Sequence, residues 1–294
     1  MLRVARRSFA RKALVFPTKK RAAPPAAPAP KAELSWSGAV LVAVGGGSLF
    51  GVGMGVAWVS SASAAPSEAV VAHPRCSCQC RVATFDGLSG SYDGTVGRDE
   101  IVMGVPLLRR WLLWSASGAC LEVAAGTGAN LDKYPAAATS VTVSDASEDM
   151  LRVAAAKVPA GPAGDRFVIR NARVEDVRGA YDTVVDTFGL CSVDDPVAAL
   201  VAIQRATRRD GKILLLEHGR GHYDWLNRLL DRYAARHLER WGCSWNRDYE
   251  AVMAEAGLRV ETLRRFHFGT TFMVVAKPDP TLAAPPPDAD STTP

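Results

Sequence analysis

A run of small residues, Ala124-Ala125-Gly126-Thr127-Gly128-Ala129, follows an apolar stretch that carries one acid, Glu122. Small residues after a buried strand let the backbone turn tightly and approach a ligand with no side chain in the way. Asp145 ends the next apolar stretch, 23 residues after Glu122. A carboxylate at such a strand end can accept both hydroxyls of a ribose. Together these features point to a ribose-bearing cofactor, and by themselves they fit a dinucleotide as well. Asp186, Glu217 and His218, with His222 a little beyond, follow later apolar runs, on the rim where α/β proteins bind ligands. A carboxylate or a neutral imidazole there could take a proton from a bound substrate.

Other chemistry-bearing residues are less informative. Cys76, Cys78 and Cys80 alternate close to His73, and in an extended chain all three would point the same way. That suits a soft metal, a disulfide or simply a linker, and the paired Cys-x-x-Cys spacing of common zinc sites is missing. Cys120, Cys191 and Cys243 sit in apolar surroundings, where small buried thiols are ordinary. Gly51-Val52-Gly53-Met54-Gly55 imitates a nucleotide-binding loop, but it lies inside an uninterrupted apolar run without strand–turn–helix context.

The elements that must position the loop begin well after the N-terminus. The chain of 294 residues has a formal charge of +5, yet nine Lys/Arg and a single acid, Glu33, fall within residues 1–33, which leaves −3 for the rest. A mildly acidic remainder argues against a nucleic-acid surface. The basic leader, with Leu2, Val4, Phe9, Leu14 and Val15 interleaved, has the composition of a mitochondrial transit peptide over 1–32. No charged residue lies between Glu33 and Glu68, and Ala39–Val59 is long and apolar enough for a single membrane-spanning helix. Ala43, Gly47, Gly51 and Gly55 recur every fourth residue and would offer a smooth stripe to a partner helix. Residues 33–80 therefore read as anchor and juxtamembrane linker. The positive N-terminal flank predicts that the N-terminus faces the matrix and the C-terminal domain the opposite compartment.

From Gly118 onward apolar runs alternate with helical patterns. Ala119–Ala124, Val141–Val143, Phe167–Ile169, Thr183–Phe188 and Ile213–Leu216 read as buried strands, and Glu148–Lys157 and Val197–Thr207 as helices between them. Such alternation means a parallel sheet covered on both faces. Leu258–Phe266 and Thr271–Ala276 predict a closing hairpin at one edge. Tyr223–Trp245 predicts a helical cap. Leu107–Trp114 is apolar enough either to touch lipid headgroups or to pack on the sheet. The Pro/Ala/Asp-rich residues 278–294 predict a disordered tail.

The motifs resemble one family closely. Glu122-Val-Ala-Ala-Gly-Thr-Gly-Ala-Asn130 is similar to the E-x-G-x-G-T-G loop of class I S-adenosylmethionine-dependent methyltransferases, with Ala124 in place of the first glycine. Asp145-Ala-Ser-Glu-Asp-Met-Leu151 resembles their D-x-S-x-x-M-L motif. Tyr181–Val193 resembles their fourth-strand motif. Asp210–His218 resembles the fifth strand, P-G-G-x-h-h-h-x-E-H, with Asp210 for the proline. Phe85-Asp86 and Tyr92-Asp93 match the first helix of the same enzymes. Cys191-Ser192, Glu217-His218, Gly242-Cys243 and Phe268-Gly269-Thr270-Thr271 are similar to fungal inner-membrane oxidase-assembly suppressors and to membrane-associated thiol methyltransferases. The quinone C-methyltransferases are more distant.

The resemblance, over Thr84–Lys277, implies a seven-stranded Rossmann-like α/β domain over 81–277, preceded by one transmembrane helix in the mitochondrial inner membrane. It implies S-adenosylmethionine as cofactor. Glu122 and the backbone of Ala124, Gly126 and Gly128 would hold its methionine end, Tyr92 would cover the carboxylate, and Thr187 lies on the matching fourth strand. Asp145 would hold the ribose beside Ala146, with Asn171 and Ala172 where the family has Asp-Ala near the adenine. His218 and Asp186 would be the catalytic residues, His218 taking the proton of a small apolar, thiol or phenol/quinone-type acceptor. The alternative is a methyltransferase-like assembly or scaffold factor acting through membrane partners.

Overall fold

The computed structural model describes residues 78–284. The leader, the apolar run Ala39–Val59 with its stripe of Gly47, Gly51 and Gly55, Cys76, and residues 285–294 lie outside the described residues. Among the described residues no helix is long and apolar enough to cross a membrane.

Three helices come first: α1 (Cys78–Leu88), α2 (Tyr92–Val102) and α3 (Val105–Leu113). Cys78 and Cys80 thus lie in the first turn of a helix, so the shared direction that an extended chain would give them does not apply there. Next come β1 (Gly118–Val123), β2 (Ala138–Asp145), α4 (Glu148–Lys157), β3 (Phe167–Asn171), β4 (Tyr181–Thr187) and α5 (Pro196–Ala206). The chain ends with β5 (Thr207–His218), α6 (Asp224–Trp241), α7 (Tyr249–Glu255), β6 (Arg259–Phe266) and β7 (Thr271–Lys277).

The seven strands lie in the order β3-β2-β1-β4-β5-β7-β6. β1 to β5 are parallel, and β7 runs antiparallel between β5 and β6 as the expected hairpin. The order reverses between β1 and β4, so the carboxyl ends of these two strands diverge and open a crevice. Period-2 alternation fills both faces of the sheet. Leu121, Val123, Val184, Ile213 and Leu215 pack with α5 and α7 on one side. Cys120, Val143, Val185, Leu214 and Leu216 pack with α3 and α4 on the other.

Local chemistry fixes the helix starts. Ser147 caps α4 by accepting from Met150 N–H at 3.1 Å, and Asp195 caps α5, with Pro196 in its first turn. In α3 the two fates open to its apolar sequence are divided by face. Val105, Leu112 and Leu113 are buried, while Leu107, Trp111 and Trp114 are exposed. Residues 278–284, expected in the tail, remain packed: Ala284 N–H donates to Thr207 O at 2.8 Å and Gln204 Oε1 receives Asp279 N–H at 2.8 Å.

Candidate active site

The crevice between β1 and β4 is an open cleft. Its floor is the small-residue loop. Gly126 has φ +57°, Gly128 φ +76° and Ala124 φ +47°, all in the left-handed region. A side chain built on Gly126 would meet nothing within 4 Å, so the loop presents bare backbone to the cleft. At Gly128 the constraint is packing instead, because a Cβ would come within 2.6 Å of Leu131. Gly128 does not line the cleft.

Asp145 faces the cleft from the end of β2. Its Oδ2 accepts Gly126 N–H and its Oδ1 accepts Ser147 N–H, both at 2.8 Å. These bonds fix the carboxylate against the loop and leave a lone pair on each oxygen for a ligand hydroxyl. Burial raises its pKa, an effect the backbone hydrogen bonds from Ser147, Gly126 and Ala146 oppose. Ala146, Met150 and Val174 supply apolar wall beside it.

Several of the expected residues lie behind the cleft surface and make contacts within the protein. Glu122 is fully buried behind the loop and does not line the cleft. Its oxygens receive Asn130 Nδ2 at 2.9 Å and Tyr134 OH at 2.8 Å, so it braces the loop from behind. Asn171 folds its amide back onto the carbonyls of Asp145 and Ala146, at 3.0 Å each, and Ala172 packs into the core. The cleft wall there comes from the next residues, Arg173, Val174 and Glu175. Asp186 is buried under Gly189 and lines neither the cleft nor the cavity beside it. Burial and the adjacent Glu217 carboxylate push its pKa well up, and its Oδ2 accepts Leu190 N–H at 3.1 Å. The two acids thus hold a turn (Leu190–Ser192): Glu217 Oε1 accepts Gly189 N–H at 3.0 Å and its Oε2 accepts Tyr249 OH at 2.9 Å. His222 is exposed.

Arg109 is a residue the sequence did not single out. It comes from α3, is 5% exposed, and reaches the cleft beside Thr187. Its Nη1 donates to Thr187 Oγ1 at 2.6 Å and to Asn130 Oδ1 at 3.3 Å, while Glu100 pairs with the other side of the guanidinium at 2.6 and 3.2 Å. Arg109 is one of three arginines, with Arg81 and Arg173, that line the cleft, and its guanidinium is held in place by the Glu100 carboxylate. Tyr92 lies close by, and burial raises its phenol pKa, so the hydroxyl stays protonated.

Phe188 stands between this cleft and a second cavity and lines both, as do Phe85, Tyr92 and Ser192. Its φ of +59° is a strained value for a bulky residue, and its ring lies edge-on to His218 with 5.4 Å between centroids. The second cavity is mostly apolar, walled by Val96, Met103, Trp241 and Trp245. Trp241 ends α6 and Trp245 follows it, so the expected cap is formed, though Tyr223 and Trp225 at its start are exposed. His237 stacks on Trp245 at 3.9 Å, and burial lowers its pKa to about 3.

Asp99 and Glu100 also line this cavity, and a His–Cys cluster occupies one corner. His218 Nε2 lies 2.9 Å from Cys243 Sγ, and Cys191 Sγ is in the same cluster. Both thiols, which read as ordinary core cysteines in the sequence, are buried against the cavity wall. Burial pulls the His218 pKa down, but the neighbouring Cys191 and Glu217 outweigh it and the net shift is upward.

Residues 105–263 match the family model described as a methyltransferase domain. The yeast (Saccharomyces cerevisiae) protein named "Methyltransferase OMS1, mitochondrial" is 36% identical over an alignment of 211 positions that covers 64% of this chain and 44% of that protein. A demethylmenaquinone methyltransferase of Renibacterium salmoninarum is 32% identical over 165 residues, covering 53% of this chain and 66% of its own. The chain thus spans less than half of the yeast protein's length. Among solved structures, the O-methyltransferase NcsB1 from neocarzinostatin biosynthesis, in complex with S-adenosyl-L-homocysteine and 1,4-dihydroxy-2-naphthoic acid, shares the fold. Its TM-score is 0.51 at 21% identity, covering 67% of this chain and 60% of that one.

Proposed function

The chain belongs to the methyltransferase-domain family, and from that premise we propose that it transfers the methyl group of S-adenosylmethionine to a small apolar, thiol or phenol/quinone-type acceptor. The observation that carries this is the pair of cavities meeting at Phe188: a cleft with bare loop backbone and a strand-end carboxylate, beside a mostly apolar pocket that holds a His–Cys cluster. The cleft fits the cofactor chemically. Asp145 has lone pairs free for the ribose hydroxyls, Gly126 leaves room for close approach, Met150 and Val174 offer apolar wall to the adenine beside Ala146, and Arg109 with Thr187 and Tyr92 suits the methionine carboxylate. Ala124 remains at the loop, Gly128 sets its turn, Glu122 braces it, and Asn171 with Ala172 positions the wall next to the adenine.

The cofactor supplies an activated methyl on a sulfonium; the protein has to align the acceptor, exclude water and remove the acceptor's proton. The apolar walls of the second cavity serve the first two tasks. His218, with Cys191 and Cys243, forms the corner at which the third is done. Asp186 acts from behind by holding the turn that carries Cys191.

We place the chain in the mitochondrial inner membrane as a single-pass protein, with residues 1–32 as transit peptide and Ala39–Val59 as anchor. The mitochondrial yeast relative and the charge-free run between Glu33 and Glu68 support this. An anchor would bring the apolar pocket to membrane-dissolved acceptors.

The test is transfer of a labelled methyl group from S-adenosylmethionine by the detergent-solubilised full chain to a panel of alkyl thiols, phenols and reduced quinones. Label in one acceptor class is expected. No transfer to any class by a chain that still binds the cofactor in calorimetry favours the scaffold reading.

A further inference from the structure

We propose that Cys191, His218 and Cys243 form a three-ligand site for a soft divalent cation of the zinc class, whose fourth coordination position opens into the second cavity. One ligand atom from each residue lies within 4.8 Å of the others, and His218 Nε2 and Cys243 Sγ are 2.9 Å apart. Among the described residues this is the group that combines two thiols and an imidazole.

The three come from separate parts of the chain. Cys191 sits on the turn after β4, His218 ends β5, and Cys243 follows Gly242, which closes α6 with φ +67°. Each is held by its surroundings. The Cys191 turn is pinned by backbone N–H groups of Gly189 and Leu190 on Glu217 and Asp186. The His218 ring is fixed edge-on by Phe188. Ser244 N–H donates to Cys191 O at 2.8 Å, tying the two cysteine segments together. Preorganised ligands on rigid elements are what a metal site needs, because ordering them at binding would cost affinity.

The donor set selects the ion. Two thiolates and one neutral imidazole suit zinc-like cations and do not suit magnesium or calcium, which take oxygen. Charge also balances. Binding releases one proton from each thiol to solvent, and a dication with two thiolates and a neutral His is a neutral unit, which a buried, mostly apolar cavity tolerates. Sites with three protein ligands and an open position are the catalytic kind. The open position faces the same cavity as Tyr92, Ser192 and Trp241.

The site deepens the acceptor-pocket reading and rests on it only for that fourth position. An acceptor thiol or phenol bound there would release its proton to solvent at lower pH than when free, because the cation stabilises its anion. His218 then acts as a ligand, and the cation supplies the proton-removing power of the corner.

The experiment uses the full chain without a histidine tag, purified in detergent without chelator. Metal analysis should give about one zinc-class ion per chain, and X-ray absorption at the metal edge should show about two sulfurs near 2.3 Å and an imidazole nitrogen near 2.0 Å. Cobalt substitution should produce thiolate-to-metal charge-transfer bands. Cys191→Ser with Cys243→Ser should abolish ion and bands. The triple variant Cys76→Ser, Cys78→Ser, Cys80→Ser should keep both. An ion-free chain without cobalt–thiolate bands, or an ion lost only from the triple variant, would overturn the proposal. So would a Cys191–Cys243 disulfide in freshly purified protein. Because the absorption spectrum is read on the unmutated chain, a variant that misfolds leaves the test intact. Cofactor calorimetry on the same sample reports separately on the methyltransferase reading.

Discussion

The methyl group of Ala124 occupies the space that a side chain at Gly189 would need: a Cβ built on Gly189 would come within 2.5 Å of Ala124 Cβ and 2.1 Å of Asp186 Oδ1. The two positions are coupled across the floor of the cleft. Gly189→Ala is expected to destabilise the domain by about 1–3 kcal/mol, the usual range for overpacking, and to weaken cofactor binding with it. Ala124→Gly should be tolerated, since it removes a left-handed alanine whose conformation costs about 1–2 kcal/mol while adding unfolded-state entropy of about 0.5–1 kcal/mol. Chemical denaturation of both variants checks this. A destabilised Ala124→Gly would mean that the methyl group is a necessary filler.

Asp145→Ala should abolish or greatly weaken cofactor binding and leave the fold in place. The carboxylate has two backbone partners, Gly126 and Ser147, so its loss also loosens the loop. Removing charge-assisted bonds to two ligand hydroxyls should cost on the order of 2–4 kcal/mol of affinity. Isothermal calorimetry alongside circular dichroism separates the two effects. Unchanged affinity would mean that the cleft holds its ligand in another way.

The sheet was legible because strands buried on both faces read as apolar runs, and the loop because small residues follow one of them. What could not be read was which side chains converge. Glu122 looks like a ligand contact by its motif position, yet Asn130 and Tyr134, eight and twelve residues on, take both its oxygens. Arg109 sits beside Arg110 in a mostly apolar helix, and only the packing of α3 on the sheet turns it toward Thr187. Cys191 and Cys243 each look like unremarkable core thiols. Their partnership with His218 depends on α6 returning its end to the rim of the sheet, which no local pattern encodes.

Asp93 ties α2 to the loop and to α4: its Oδ1 accepts Thr127 Oγ1 at 2.7 Å and its Oδ2 pairs with Lys157 Nζ at 2.6 Å. Partial burial raises its pKa, but the bonds from Lys157 and Thr127 win and the net shift is downward. A carboxylate with a lowered folded pKa contributes stability that is present above its unfolded value of about 3.9 and is lost as pH falls through the folded value. Its side chain is half exposed, so solvent screening limits the contribution to about 1 kcal/mol or less. Asp93→Asn should therefore lower stability slightly at pH 7 and converge on the parent only as pH falls below the lowered folded value in denaturant titrations. A difference that persists at low pH would assign the effect to the Thr127 bond rather than to charge.

Membrane attachment makes a separate prediction. Residues 1–32 should direct import and Ala39–Val59 should resist carbonate extraction from isolated mitochondria, with the domain open to protease in mitoplasts. Recovery in the carbonate-soluble fraction would remove the anchor, and a domain that stays protected in mitoplasts would reverse the orientation.

The last prediction separates catalyst from scaffold. His218→Ala removes the imidazole from the polar corner of the second cavity without touching the cofactor cleft, whose lining does not include it. Methyl transfer to a thiol or phenolic acceptor should fall by roughly 10²–10⁴-fold, the range for losing proton-transfer assistance, while calorimetric affinity for the cofactor stays the same. Asp145→Ala should lose transfer through binding instead, so the two variants differ in which constant moves. In cells that depend on the chain, an enzyme must fail with either variant. If cells tolerate both, yet fail when Gly47, Gly51 and Gly55 are replaced by leucine, the small-residue stripe carries the essential contact. The fold would then serve as a scaffold for a membrane partner.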